Sequence, residues 1–110
     1  MAYEIEATEV FEKQLKKLSK KYKSLAQDMR SFLGELAENP HSGVDLGNNT
    51  YQNRVAVKSK GKGKRGGLRV IDHMIDEDEL IYLLSVYDKS DIDSIPDSVI
   101  KAHVAELYDK

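Results

Sequence analysis

The spacing of apolar positions divides the chain into short segments of two periods. Residues 3–6 alternate, with Tyr3 and Ile5 set against Glu4 and Glu6, and predict a short strand; Thr8 is placed to cap the next element. Phe11, Leu15, Leu18 and Tyr22 then recur at intervals of four, three and four among lysines, the single apolar stripe of a solvated helix. Ser24 and Gln27 have the S-x-x-Q spacing of a capping box. Leu25, Met29, Phe32, Leu33 and Leu36 give a second helix its stripe, and Asn39-Pro40 stops it. The two helices are expected to form a hairpin.

Residues 41–50, with two glycines and two asparagines, read as a connecting loop. The period then falls to two over residues 51–59, with Tyr51, Asn53, Val55 and Val57 on one face and Gln52, Arg54, Ala56 and Lys58 on a polar, basic one. A glycine-rich basic loop at 60–67, a strand at 68–75, an acidic turn at 76–79 and a strand at 80–87 complete a meander. Beyond residues 88–94, Pro96 and Asp97 open a terminal helix striped by Val99, Ile100, Val104 and Leu107. The order β-α-α-β-β-β-α predicts an α+β fold. Its small antiparallel or mixed sheet carries the N-terminal helix hairpin on one face and ends in a C-terminal helix. Residues 1–110 form a single domain, a length at which roughly two-thirds of the unfolded surface can be buried.

Composition narrows the chemistry. Without cysteine there is no disulfide framework, thiol nucleophile or cysteine-ligated metal, and a reducing compartment, the cytoplasm, is the simple expectation. No basic-then-apolar leader or long apolar run points to a membrane. The net charge of -2 conceals a strong segregation. Residues 1–50 carry 7 basic and 8 acidic side chains, residues 51–71 carry 7 and none, and residues 72–110 carry 3 and 11.

The basic loop contains a literal G-x-G-x-x-G at residues 61–66, but it leads into a strand, lacks a β-α-β unit and fails the Walker pattern after Gly66. Nucleotide-cofactor binding is therefore not expected. His41, His73 and His103 have no metal-ligand spacing, and Asp76, Glu77, Asp78 and Glu79 lack the calcium-loop pattern and read as a solvated turn. By composition the loop could simply be a flexible hairpin with solvated lysines, and Arg54 alone could pair with the acidic C-terminal third. With Arg54 and Lys58 on one strand face and Arg69 on the next strand, the cations instead converge on a site suited to a sugar-phosphate backbone. His73, alternating with Ile71 and Arg69, either lies near that face or is a packed bystander.

The run from Arg54 through K-S-K-G-K-G-K-R-G-G-L to Arg69 resembles the central signature of the RelE/ParE toxin superfamily, especially its HigB-like branch. The strand Tyr82-Leu-Leu-Ser-Val-Tyr87-Asp-Lys89, the F-x-x-x-L-x-x-L helix and the Asn-Pro stop extend the likeness over nearly the whole chain. The resemblance implies a sheet with two helices on one face and an open cleft on the other. It also implies the toxin component of a type II toxin-antitoxin system, a ribosome-dependent messenger RNA endonuclease that uses no metal or cofactor, and a cognate antitoxin, often a helix-turn-helix protein. By position, Arg54, Arg69 and Lys89 would meet the scissile phosphate, with Tyr87 stacking or transferring a proton. Gln52, Lys58, Lys60, Lys62, Lys64 and Arg65 would hold flanking RNA. Gln52 stands where well-studied ribonuclease members carry a lysine, and Ile95 falls near the place of a C-terminal tyrosine, so general base and acid stay unassigned. A ParE-like gyrase inhibitor and a catalytically inactive RNA- or antitoxin-binding relative are the alternatives; the long basic loop favours the ribonuclease.

Overall fold

The structure, a computed structural model, describes residues 2–61 and 66–109. Its elements run β1 (Glu4–Ala7), α1 (Glu9–Lys21), α2 (Leu25–Glu38), β2 (Val44–Gly47), β3 (Thr50–Val55), β4 (Leu68–Ile75), β5 (Leu80–Asp88) and α3 (Asp97–Tyr108). Single 3-10 turns at Lys58–Lys60 and Asp76–Asp78 follow β3 and β4. The strands form one sheet in the order β1-β5-β4-β3-β2, with β1 parallel to β5 and the other pairs antiparallel. The fold is α+β with a mixed sheet, as expected. Among the described residues no helix is long and apolar enough to cross a membrane.

Thr8 caps α1 by accepting the Phe11 N–H, while Glu9 and Glu12 open the helix and Lys20 and Lys21 close it, in the sense that complements its dipole. The stripe from α1 and α2 buries Phe11, Tyr22, Leu25, Met29 and Leu36 against Val55, Leu68, Val70, Met74, Ile81, Leu83 and Val86 of the sheet and Val57 just past β3. Leu84 is an extra residue in β5, since Ile71 faces Ser85 and Asp72 faces Leu83. The Gln14 side-chain oxygen fills the gap this bulge leaves, accepting from Val86 N–H at 2.9 Å and Ser85 Oγ at 3.0 Å.

Three sequence expectations change. Residues 41–50 contain the strand β2, joined to β3 by a tight turn in which Asn48 and Asn49 both have positive φ, 53° and 56°. Asparagine tolerates that region, and two consecutive positive φ values give the twist a hairpin needs. The Ser24 capping box is absent. Its hydroxyl instead donates to Asp28 at 2.5 Å and accepts the Ser59 N–H at 2.8 Å, while Asp28 accepts the Lys58 N–H at 3.0 Å. The start of α2 thus holds the 3-10 turn that ends the expected strand at Val55. Finally, the face opposite α1 and α2 is not fully open: Val104, Ile100 and Leu107 of α3, with Ile95, pack on Ile71, Leu84 and Tyr87.

Candidate nucleic-acid interface

Strand register builds the site. Arg54 faces Arg69 across β3 and β4, and Arg69 faces Tyr87 across β4 and β5. Directly opposed residues project from the same side of a sheet, so two guanidinium groups and a phenol form one row on the face away from α1 and α2. Gln52, two residues before Arg54 and on its face, accepts the Tyr87 hydroxyl hydrogen at 3.3 Å. Of the four sequence-selected residues Gln52, Arg54, Arg69 and Tyr87, all lie on this face.

Their environments differ. Arg54 is exposed and, among the described residues, makes no ion pair. Arg69 is only 2% exposed and Tyr87 4%, and an Arg69 Nη1 hydrogen bond reaches the Leu68 carbonyl at 3.4 Å. Burial raises the Tyr87 pKa, a trend the Arg69 charge opposes and Asp93 reinforces. At neutral pH Tyr87 is a phenol, able to donate a proton and unable to act as a ready base.

The remaining cations separate into groups. Lys58 is exposed on the 3-10 turn after β3, and Lys89 is exposed immediately past β5. Lys60, expected to grip phosphate, is instead engaged within the fold. Its ammonium lies 2.5 Å from Asp88 Oδ1, with the two side chains 12% and 0% exposed. Asp88 also accepts from the Tyr22 hydroxyl, from Ser90 N–H at 3.0 Å and from Ser90 Oγ at 2.6 Å. Burial alone would raise the Asp88 pKa, but its bonds from Lys60, Ser90 and Tyr22 hold it well below the usual carboxylate range. Lys62, Lys64 and Arg65 lie outside the described residues.

His73 shares the cleft face but not the row. Its Nδ1 is 3.0 Å from Thr50 Oγ1 and its Nε2 is 2.7 Å from the Tyr108 hydroxyl, so the ring ties the end of α3 to the sheet. Burial lowers its pKa, which favours the neutral ring, although a backbone hydrogen bond with Asn48 works the other way. Among the described residues no group of three metal-ligating side chains converges. Sequence reading missed the Asp88 cluster and Asp72, a core carboxyl that no spacing rule singles out. Tyr22 looked like a plain stripe residue because only the fold brings β5's end to it.

Solved structures share this architecture. A doubly substituted E. coli toxin RelE in the free state matches with a TM-score of 0.62 at 22% identity, over 84% of this chain and 90% of that one. The toxin-antitoxin complex RelBE2 from Mycobacterium tuberculosis matches at 0.60 and 22%, covering 80% and 99%. The intact E. coli RelBE toxin-antitoxin complex matches at 0.61 and 20%, covering 79% and 96%. The chain therefore has the RelE-like fold. No protein-family model matches it.

Proposed function

We propose that the chain is a member of the RelE/ParE superfamily, close to its HigB-like branch, and the toxin of a type II toxin-antitoxin pair. It acts as a metal-independent endoribonuclease on messenger RNA at the ribosome and is held in check by a cognate antitoxin. The observation that carries this reading is the Arg54, Arg69 and Tyr87 row, set in a RelE-like fold beside the roots of the basic loop.

In the proposed reaction a ribose 2'-hydroxyl loses its proton and its oxygen bonds to the adjacent phosphorus. The bond from phosphorus to the 5'-oxygen breaks, leaving a cyclic phosphate and, once that oxygen gains a proton, a free 5'-hydroxyl. Arg54 and Arg69 would meet the charge that grows on the phosphoryl oxygens. Each such preorganised cation can contribute roughly 3 to 4 kcal/mol in the transition state. Tyr87, protonated at neutral pH, suits the leaving oxygen; Lys89 and Lys58 suit flanking phosphates. The acceptor of the 2' proton has no assignment.

A second reading, an inactive RNA- or antitoxin-binding relative, is favoured by the burial of Arg69 and Tyr87, which a substrate must uncover. Brief induction in cells followed by mapping of messenger RNA ends separates the readings. New 5' ends inside translated frames support the ribonuclease. Intact transcripts remove it, and gyrase inhibition alongside them selects the ParE-like alternative.

A further inference from the structure

Tyr87 stands in the cleft-side row and Lys89 is exposed just past β5, while Asp88 between them faces the other way. Asp88 is the cross-strand partner of Leu68, which lies in the core beneath α1 and α2, so the two project from that side of the sheet. The Asp88 side chain is 0% exposed, and no ligand reaches it. It collects donors from three separate segments: the hydroxyl of Tyr22 at the C-cap of α1, the ammonium of Lys60 at the end of the 3-10 turn after β3, and both the N–H and the hydroxyl of Ser90 beyond β5. Lys60 Nζ also donates to Ser90 Oγ at 3.3 Å. These four donors fill the acceptor sites of a carboxylate, which leaves Asp88 no part in proton transfer.

A buried ion pair stabilises a fold little more than apolar side chains of the same volume, so stability alone is a weak account of this one. Its geometry supplies a better one. The Ser90 N–H donates to Asp88 Oδ1 at 3.0 Å across Lys89, and the Asp88 carbonyl accepts from Asp91 N–H at 2.9 Å and Ile92 N–H at 3.0 Å. The side chain and main chain of Asp88 thus close two turns around Lys89, an Asx turn inside a β-turn. Lys60 and Tyr22 hold the closing carboxylate from behind the sheet. Among the described residues Lys89 makes no ion pair, so the turn sets where its side chain leaves the backbone.

We infer that Lys60 and Asp88 are positioning residues, whose buried pair fixes the turn that presents Lys89 to an RNA phosphate flanking the Arg54, Arg69 and Tyr87 row. The inference rests on the RNA-binding role proposed above for Lys89. It also gives Lys60 a function that its place at the head of the basic loop conceals: bound to Asp88, its cation acts on RNA through Lys89 and not by touching it.

The test is a double-mutant cycle on the full chain, read as affinity for a fluorescent uridine oligomer at low salt, with the folding of each variant verified by circular dichroism. Lys60→Met should weaken association roughly tenfold while Lys89 is present, the scale of one charge-assisted hydrogen bond lost. In the Lys89→Ala background the same change should stay within about twofold. Ser90→Ala removes one donor to Asp88 from an exposed turn and leaves the core intact. It should act in the same sense by a smaller factor, again only while Lys89 is present, and it decides the matter if Lys60→Met does not fold. Equal losses in both backgrounds would make Lys60 a direct phosphate contact and overturn the inference. Unchanged affinity in either variant, or a parent that does not bind the oligomer, overturns it as well. A chain that cleaves messenger RNA while the two changes add independently loses only this inference; one that shows the coupling and never cleaves loses only the ribonuclease.

Discussion

Arg54 and Arg69 are cross-strand partners with side chains on one face of the sheet, yet Arg54 is exposed and Arg69 is 2% exposed. Like charges directly opposed on neighbouring strands destabilise a sheet by up to about 1 kcal/mol. An oxyanion bound to both removes that repulsion. Sulfate or phosphate should therefore raise the Tm of the parent more than chloride at matched ionic strength, and Arg54→Ala should lose most of the difference. Equal shifts in both salts, followed by calorimetry, would show that the row holds no anion.

The two kinds of cation should fail differently. Arg69→Ala, with folding verified by circular dichroism, should lower single-turnover cleavage by roughly a hundredfold to a thousandfold and weaken RNA association far less. Lys62→Ala should instead weaken association across sequences and reduce the salt slope by about 0.7, with little change in cleavage at saturation. A folded Arg69→Ala that cleaves at the parental rate removes Arg69 from the reacting phosphate.

Lys60 and Asp88 form a buried pair, so breaking it from either side should cost unequally. Asp88→Asn leaves the Lys60 ammonium without its counter-charge in a site that is 12% exposed, and a loss of roughly 3 to 5 kcal/mol is expected. Lys60→Met removes the cation, including its place over the Tyr22 ring, but Asp88 still accepts from Tyr22 and Ser90, so the loss should be smaller. Urea unfolding of both variants and their double mutant measures the coupling. Because the Asp88 pKa is depressed, its contribution should fade as pH falls through the acid range. Independent, additive losses would show that the pair does not act as one unit.

What the sequence made legible was whatever depends on period. The α1 and α2 stripes, β4 at its observed bounds and the shared face of Gln52 and Arg54 follow from spacings of 3.6 and 2, whereas the strand register is what brings Arg69 and Tyr87 onto that face. What stayed hidden depends on contacts between distant residues. In β2, Asp45 and Gly47 mimic loop composition over four residues, and only pairing with β3 makes a strand of them. Ser24 has the spacing of a capping box, yet Ser59 and Asp28 compete successfully for its hydroxyl. Lys60 looks identical to Lys58 in sequence, and only the arrival of Asp88 and Tyr22 separates a buried ion pair from an exposed cation.

Asp72 should make stability depend on pH in the sense opposite to most carboxylates. It is 0% exposed, receives the Asn53 Nδ2 hydrogen bond at 3.0 Å on Oδ2, and its Oδ1 has no hydrogen-bond partner among the described residues. Burial raises its pKa from 3.8 to about 7, an effect the Asn53 bond only partly offsets. The native state thus holds a proton that the unfolded chain releases above 3.8. The associated stability is complete below that value, declines as pH rises and is gone above about 7, a span worth roughly 4 kcal/mol. His73 acts in reverse: its depressed pKa means stability is lost as pH falls below the ordinary histidine value of 6.5. The parent profile alone mixes the two, so the difference between Asp72→Asn and the parent is the informative quantity. That difference should favour the variant at pH 8 by a few kcal/mol, less the cost of burying an amide whose donors lack partners. It should shrink steadily toward pH 5 in urea unfolding measurements. A difference that stays constant across this range would mean that Asp72 is already ionised in the folded protein, with an unseen donor satisfying Oδ1.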